Sequence, residues 1–257
     1  MSQVAVVTGG CSGIGLELAR ELKRVGYELV LVSNHAGRLA DAARELGARH
    51  TVELDLATPE GAPQLIARLD ALGVDPDVFV NNAGFFFFGE LADADEAKVR
   101  AMLQLHVTTP TLLARHYAAK MKARGSGHLL FTSSISAWRD FPGIALYGST
   151  KRFLLSLATS LRSELKPWGV NVTVVAPGAT LTNLYDPTIV PVGLAKRFGV
   201  MLEPGVVARA GVRAMLKRRA LVVPGLLSKL FAWAAWWTPQ WVIDLVRRRA
   251  PWLPRPK

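Results

Sequence analysis

Three side chains suited to proton transfer lie close together in the sequence. Tyr147 and Lys151 stand four residues apart in Tyr-Gly-Ser-Thr-Lys, and Ser134 precedes the tyrosine by 13 residues. Residues four apart share one face of a helix, so the ammonium would lie beside the phenol. A phenol titrates near ~10 in water, and a neighbouring positive charge lowers that pKa. The tyrosine could then exchange a proton with a carbonyl or alcohol oxygen that the serine hydroxyl polarises.

A glycine-rich segment near the N-terminus supplies a second part of this chemistry. It runs Thr-Gly-Gly-Cys-Ser-Gly-Ile-Gly from Thr8 to Gly15, after an apolar strand candidate and before a helical pattern. Gly9, Gly13 and Gly15 would let the backbone approach a pyrophosphate at the N-terminus of the helix. A tight strand–helix turn without a ligand is the other interpretation. With the phenol, ammonium and hydroxyl, the segment indicates carbonyl or alcohol redox chemistry with a nicotinamide cofactor.

Short apolar runs alternate with helical patterns through most of the chain, which indicates an α/β fold with a doubly wound parallel sheet of about seven strands. The predicted strands are Gln3–Thr8, Glu28–Ser33, His50–Leu54, Val78–Val80, His128–Thr132, Asn171–Val175 and Leu221–Val223. The predicted helices begin near Leu16 and cover Leu39–Leu46, Gln64–Leu72, Glu96–Lys122 and Leu146–Leu165. The sheet pattern stops at Pro224-Gly225, so we expect a catalytic domain at 1–225 and a helical extension at 226–257.

Four motifs in one order resemble the short-chain dehydrogenase/reductase family in its single-domain Rossmann-fold form. They are the glycine-rich segment, Asn81-Asn82-Ala83-Gly84, Ser134 with Tyr147-x-x-x-Lys151, and Pro177-Gly178. The resemblance implies that Ser134, Tyr147 and Lys151 are catalytic. It also implies a dinucleotide site, for which we predict the following residues: Gly9, Ser12, Gly13, Ile14, Gly15, Ser33, Asn34, Arg38, Asp55, Asn82, Ala83, Gly84, Tyr147, Lys151, Pro177, Gly178 and Thr182. Asp55 could equally be a turn acid.

The end of the second strand bears on the choice between NAD and NADP. Enzymes that prefer NAD usually carry an acid there, which binds the ribose 2′-hydroxyl. Here the chain reads Ser33-Asn34-His35, with Arg38 one helical turn further on, so no carboxylate would repel a 2′-phosphate. The arginine that many NADP-binding relatives carry next to this position is replaced by Asn34. We expect NADP(H), and Arg38 could instead be a solvated helix residue.

One position departs from the family pattern. Many relatives use an asparagine as a fourth catalytic residue in the helix after Asn81-Asn82-Ala83-Gly84, and the aligned residue here is His106. One hypothesis is that His106 joins the proton relay and makes turnover depend on pH near ~6.5. The other is a tolerated substitution with a modest effect, since a histidine keeps the backbone carbonyl that the relatives use.

The expected substrate side of the pocket is apolar. Phe85-Phe86-Phe87-Phe88 follows the fourth-strand motif, Trp138, Phe141 and Ile144 lie between Ser134 and Tyr147, and Leu181, Leu184 and Tyr185 follow Pro177-Gly178. We therefore predict an apolar carbonyl compound or secondary alcohol as substrate. For at least two of the four phenylalanines, packing in the core or against another subunit is the better explanation.

The C-terminal part differs in composition from the rest. Of the net charge of +11, residues 217–257 contribute nine Lys or Arg side chains against one acid, and they hold five of the seven tryptophans. Leu226, Leu230, Trp233 and Trp237 follow a helical spacing, and a second segment continues after Pro239. The apolar run is far shorter than the ~20 residues that span a bilayer. Attachment of 226–257 to a membrane surface and packing on the protein remain open alternatives, whereas no nucleic-acid motif accompanies the charge.

The sequence therefore predicts an oxidoreductase that transfers a hydride between NADP(H) and an apolar carbonyl compound or secondary alcohol, with Tyr147 as general acid and base. A cofactor-binding scaffold or sensor on the same fold, with little turnover, is the alternative. Cys11 is the single cysteine and no secretory signal precedes the first strand, which favours a cytoplasmic protein, possible membrane attachment apart. We also expect a homodimer or homotetramer, and neither a metal site nor a nucleic-acid partner.

Overall fold

A seven-stranded parallel sheet forms the centre of the molecule. The computed structural model describes residues 3–181 and 201–249. The strands are β1 (Val4–Thr8), β2 (Glu28–Ser33), β3 (His50–Glu53), β4 (Val78–Asn81), β5 (Gly127–Thr132), β6 (Val170–Val175) and β7 (Leu221–Val222). They lie in the order β3-β2-β1-β4-β5-β6-β7, and every neighbouring pair is parallel. The doubly wound sheet predicted from the sequence is confirmed.

Helices cover both faces of this sheet and bury the strands. They are α1 (Gly13–Arg24), α2 (Ala36–Leu46), α3 (Gly61–Ala71), α4 (Glu96–Leu103), α5 (Thr109–Arg124), α6 (Ala145–Leu165), α7 (Pro204–Leu216), α8 (Leu226–Trp237) and α9 (Gln240–Arg249). Alternate residues of β1 enter different cores: Val4 and Val6 pack with α3, α5 and α6, whereas Ala5 and Val7 pack with α1, α2 and α7. Burial on both faces explains why the strands are apolar throughout.

The strand order reverses between β1 and β4, and this reversal positions the site. The chain winds from β1 to β3 on one side and continues from β4 to β7 on the other. The connections that leave β1 and β4 therefore diverge at the carboxyl edge of the sheet and open a crevice. The glycine-rich segment follows β1 and Asn82-Ala83-Gly84 follows β4, so both motifs meet there.

The long helix expected over Glu96–Lys122 is interrupted. A π-helical turn at Gln104–Thr108 separates α4 from α5, and His106 lies within it. A π-helical turn holds one residue more than an α-helical turn and occurs mostly as a local bulge, often at a functional site. The apolar periodicity on either side resembles a continuous helix, so the interruption could not be predicted from it.

The segment after the sheet forms two helices, as its spacing predicts. Gly225 precedes α8, and α9 follows the break at Thr238-Pro239. Small residues of α8, namely Ser228 and Ala232, are buried against the rest of the protein. Within residues 3–181 and 201–249, no helix is both long and apolar enough to cross a membrane.

Candidate active site

A cavity of ≈ 500 Å³ opens at the carboxyl edge of the sheet, above the crevice between β1 and β4. It joins the glycine-rich turn to the candidate catalytic residues. Sixteen of the seventeen residues predicted to bind the cofactor line it: Gly9, Ser12, Gly13, Ile14, Gly15, Ser33, Asn34, Arg38, Asp55, Asn82, Ala83, Gly84, Tyr147, Lys151, Pro177 and Gly178. Ser134 lines it as well, whereas Thr182 lies outside the described residues.

The glycine-rich turn has a geometry that only glycine supports. Gly9 and Gly13 adopt φ values of +65° and +53°, in the left-handed region that side chains disfavour. A Cβ on Gly15 would lie 2.1 Å from the Gly9 carbonyl oxygen and 2.4 Å from Asn82 Nδ2. The N-terminus of α1 begins at Gly13 beside the cavity, and the unpaired N–H groups of a first helical turn attract anions. This cradle therefore fits the phosphates of a dinucleotide.

Thr8 and Asn82 bridge the crevice at its base. Thr8 Oγ1 donates to the Val80 carbonyl and accepts from the N–H groups of Asn82 and Ala83, at 2.9, 3.0 and 3.1 Å. Asn82 Nδ2 donates to the Thr8 carbonyl at 3.0 Å, and Asn82 Oδ1 accepts from the Thr132 hydroxyl at 3.1 Å. These bonds join the ends of β1, β4 and β5.

Lys151 extends from α6 across the floor of the cavity to β5. Its Nζ donates to the Thr132 carbonyl at 3.1 Å, and its own carbonyl accepts from the Ser133 hydroxyl at 2.7 Å. The side chain is buried, and burial lowers the pKa of Lys151 from 10.5 to about 8. The ammonium is therefore still the main form at neutral pH, but it titrates easily for a lysine.

Tyr147 stands one helical turn before Lys151 and faces the same cavity. The Lys151 Nζ lies 5.6 Å from the centroid of the tyrosine ring. Phe86 packs edge-on against that ring with centroids 5.0 Å apart. Ser134 is half-buried at the cavity wall, where its Oγ accepts from the Ser136 N–H at 3.2 Å. The fold thus brings a phenol, an ammonium and a hydroxyl to one cavity, as the sequence spacing predicted.

His106 is held beneath the cavity by two hydrogen bonds. Its Nε2 accepts from the Phe85 N–H at 3.1 Å, so the proton of a neutral ring lies on Nδ1, 3.0 Å from Thr150 Oγ1. Thr150 in turn donates to the Tyr147 carbonyl at 2.8 Å. His106 therefore links the loop after β4 to the turn of α6 that carries the phenol, and it does so through its neutral form.

The expected titration of His106 near pH 6.5 does not fit this environment. Burial, aided by the charge of Lys151, holds the pKa of His106 well below 6.5. Protonation would also remove the acceptor that Phe85 uses. The structure thus favours a positioning role for His106 over a proton relay that titrates near neutral pH.

The end of the cavity that lies after β2 and β3 is lined by polar groups. Ser33 Oγ accepts from the Cys11 thiol at 3.0 Å and from the His35 N–H at 3.3 Å, which fixes the turn after β2. Asn34 and Arg38 are exposed there. Asp55 Oδ1 accepts from the Ala57 N–H at 2.9 Å, so Asp55 has the turn role that was left open, and it also lines the cavity.

Aromatic residues surround the phenol on the substrate side. None of Phe85–Phe88 belongs to the buried cores, so core packing does not explain the run. Phe85 lines the cavity and contacts His106, and Phe88 packs where a Cβ on Gly143 would lie. Trp138 and Ile144 are half-buried and Phe141 is exposed, whereas Leu184 and Tyr185 lie outside the described residues.

Sequence reasoning missed several residues that support the site. Thr150 and Ser133 hydrogen-bond to backbone carbonyls of α6, and Cys11 hydrogen-bonds to Ser33, yet these side chains belong to no distinctive motif. The one sequence signal for these three residues was their position next to Tyr147, Ser134 or the glycines. Within 3–181 and 201–249, no group of three or more His, Cys, Asp or Glu residues could hold a metal ion.

Comparison with known proteins identifies the relatives of this chain. A family model described as short chain dehydrogenase matches residues 3–189. The uncharacterized oxidoreductase YmfI of Bacillus subtilis (strain 168) is 34% identical over 196 residues, covering 72% of this chain and 78% of that protein. The 1-deoxy-11-beta-hydroxypentalenate dehydrogenase of Streptomyces exfoliatus is 34% identical over 210 residues, covering 79% and 76%. A short-chain dehydrogenase from Sphingobium yanoikuyae, solved in complex with NADPH, superposes with a TM-score of 0.78 at 26% identity, covering 96% and 94%.

The parallel sheet, the crevice and these matches define an α/β oxidoreductase of the dinucleotide-binding class. The chain belongs to the short-chain dehydrogenase family, whose members act on CH–OH and C=O groups.

The buried Lys151 ammonium should reduce stability at neutral pH. Between the lowered pKa of about 8 and the ordinary value of 10.5, the unfolded chain holds a proton that the folded protein has released, so stability rises with pH there. Relative to Lys151→Met, the parent should gain on the order of 2 kcal/mol of unfolding free energy between about pH 7.5 and 9.5. Urea unfolding at both pH values measures this gain.

Lys98→Met, at an exposed position of α4, is the matched control and should retain the pH dependence of the parent. Parallel pH dependences for Lys151→Met and the parent would show that the ammonium is not destabilised by burial.

His106→Asn tests the positioning role. Because the folded histidine stays neutral below pH 6.5 while the unfolded one takes up a proton, acid destabilises the parent, and the variant should lose this part of the pH dependence. Its pH–rate profile above about pH 6 should superimpose on that of the parent. A profile of the parent that bends near ~6.5 and straightens in the variant would restore the proton-relay hypothesis.

A double-mutant cycle with Gly84 tests the packing of His106 separately from its titration. A Cβ on Gly84 would lie 2.7 Å from His106 Nε2, so Gly84→Ala should destabilise the parent more than it destabilises His106→Asn. We expect a coupling of about 1 kcal/mol in unfolding free energy. Additive effects would show that the two positions do not restrict each other.

Proposed function

We propose that this protein transfers a hydride between NADP(H) and an apolar carbonyl compound or secondary alcohol, with Tyr147 as the general acid and base. The observation that carries the proposal is the single cavity that joins the glycine cradle to Ser134, Tyr147 and Lys151. A bound nicotinamide would supply or accept the hydride, and the protein groups would orient the reactants and move the proton.

The proton chemistry follows from the charge beside Tyr147. The Lys151 ammonium, 5.6 Å from the ring centroid, stabilises a phenolate more than a phenol. During reduction, Tyr147 gives its proton to the carbonyl oxygen as negative charge develops there. During oxidation, the phenolate takes the proton of the alcohol. Ser134, at the same wall, donates a hydrogen bond to the substrate oxygen in either direction.

The NADP(H) preference is supported by the side chains that would surround the 2′-phosphate of the adenosine ribose. Asn34, His35 and Arg38 line the cavity after β2, and all three can donate hydrogen bonds to a phosphate. Asp55 is the one acid that lines the cavity within the described residues, and it follows β3. The relative solved with NADPH agrees with this preference.

The apolar substrate class is supported by the aromatic surroundings of the phenol. Phe86 packs against Tyr147, and Phe85 lines the cavity next to Gly84. Binding of an apolar substrate in a pocket with such walls is favourable, because it removes apolar surface of the substrate and of the walls from water. The expected homodimer or homotetramer and the cytoplasmic location stay predictions.

Tyr147→Phe tests the function directly. NADPH oxidation should be measured against a panel of apolar ketones and aldehydes, and the variant should lose at least about 100-fold in kcat, the usual contribution of a general acid. NADPH affinity, measured by fluorescence titration, should change little because the ring is retained.

Tyr117→Phe is the matched control. The Tyr117 hydroxyl is buried in the core and has no hydrogen-bond partner among residues 3–181 and 201–249, so its removal should leave activity and stability intact. Turnover that survives Tyr147→Phe would exclude the tyrosine as acid. A parent that binds NADPH but reduces no member of the panel would favour the scaffold or sensor alternative.

Asn34→Asp tests the cofactor preference. The new carboxylate would repel a 2′-phosphate, so kcat/KM with NADPH should fall by about tenfold or more, while the value with NADH should change less. Asn34→Ala is the control, because it removes the amide without adding charge. A parent with the higher kcat/KM for NADH would contradict the preference.

A further inference from the structure

Helix α8 has its large apolar side chains on the outside. Its buried residues are small: Ser228 is 3% exposed and Ala232 9%. Leu226, Leu230, Trp233 and Trp237 follow each other at the helical repeat on the opposite face, and they are called the tryptophan face below. Trp233 and Trp237 are 67% and 68% exposed. A helix of a water-soluble domain usually has the reverse orientation.

The exposed surface extends beyond this one face. Trp236 beside it and Trp241 at the start of α9 are also more than half exposed. So many large exposed apolar side chains on one segment are unusual on soluble monomers and indicate an interaction site. Indole rings have an apolar body and one N–H donor, which suits the interface between water and the headgroups of a bilayer.

The helix is attached to the wall of the catalytic cavity. Ser228 lies against Gly178, and Gly178 lines the cavity. A Cβ on Gly178 would lie 2.4 Å from the Oγ of Ser228. At the start of α8, Gly225 packs against Leu202, which is hydrogen-bonded to Ala179 and Leu181. The tryptophan face therefore belongs to a helix whose inner side packs against the loop after β6, and this loop forms part of the cavity wall.

The formal charge of the C-terminal segment favours an anionic occupant of the face. Lys229 is exposed on α8 between Leu226 and Trp233. Residues 217–257 carry nine basic side chains and one acid, a formal charge of +8. Basic residues near a membrane each contribute to binding of anionic lipids. A second copy of this chain would bring an equal positive charge against this one, which disfavours self-association through the face.

We propose that the tryptophan face docks on the surface of an anionic lipid bilayer and holds the protein there without spanning it. The docked helix begins at the cavity wall, so an apolar carbonyl substrate dissolved in the bilayer would have a short path to Tyr147. This consequence for the substrate rests on the proposed function, whereas the docking itself does not.

Co-sedimentation of the full chain with vesicles tests the docking. The parent should bind vesicles that contain phosphatidylglycerol and phosphatidylcholine more tightly than vesicles of phosphatidylcholine alone. Trp233→Ser combined with Trp237→Ser should weaken binding by about tenfold or more, since burial of large apolar side chains is lost. Lys229→Glu should weaken binding to the anionic vesicles by about tenfold.

Trp168→Ser is the matched control, because Trp168 is an exposed tryptophan on the catalytic body, and it should bind like the parent. Circular dichroism of each variant establishes that it is folded. Tyr147→Phe should also bind like the parent, so that a failure of the redox proposal leaves the docking result unaffected.

Three outcomes would overturn the proposal. The first is equal binding of the parent and the double tryptophan variant, and the second is equal binding to neutral and anionic vesicles. The third is a parent that does not bind vesicles but forms a dimer, seen by analytical ultracentrifugation, that the double variant dissociates. The occupant of the face would then be a second copy of the chain.

Discussion

The hydrogen bonds between Thr8 and Asn82 hold β1 and β4 together at the point where their strand pairing ends. This junction is where the winding of the sheet reverses, and a parallel sheet covered on both faces offers its ligands no other approach than the carboxyl edge. The glycine cradle on one side and the loop to Gly84 on the other diverge from these bonds. Every other feature of the site is therefore positioned relative to this junction.

Burial of Lys151 has two opposite consequences, one for stability and one for the electric field at Tyr147. An ammonium enclosed in a protein is unfavourable unless it is well paired, and the Thr132 carbonyl offers a dipole and no opposite charge. The same enclosure strengthens the field that the ammonium exerts on Tyr147, because little solvent screens it. The burial that destabilises the ammonium is therefore also what strengthens its field at the phenol.

The sequence predicted the fold, because the fold depends on local signals. Each strand is an apolar run, so the strand bounds agreed within one or two residues. Each motif follows a strand, and sixteen of the seventeen residues predicted to bind the cofactor line one cavity. Contacts between residues far apart in the chain could not be predicted from the sequence. His106 contacts Phe85 and Thr150, which are 21 and 44 residues away, and no spacing rule indicates such contacts.

The orientation of α8 was beyond the sequence for a different reason. Its periodicity predicts a helix with one large apolar face, and such a face normally turns toward the core. The small residues Ser228 and Ala232 occupy the inner side instead, and Ser228 packs directly against Gly178. A contact between residues so far apart in the chain cannot be predicted from the periodicity of α8.

The π-helical turn at Gln104–Thr108 lets the chain hold one residue more between α4 and α5 than a continuous α-helix would. In a regular α-helix an added residue would rotate everything after it by about 100°. The wider turn absorbs the extra residue instead, so α5 keeps Leu113, Tyr117 and Met121 in the core. Loss of one residue here would therefore spare the packing of α5 and act on the turn alone, where His106 bonds to Phe85 and Thr150.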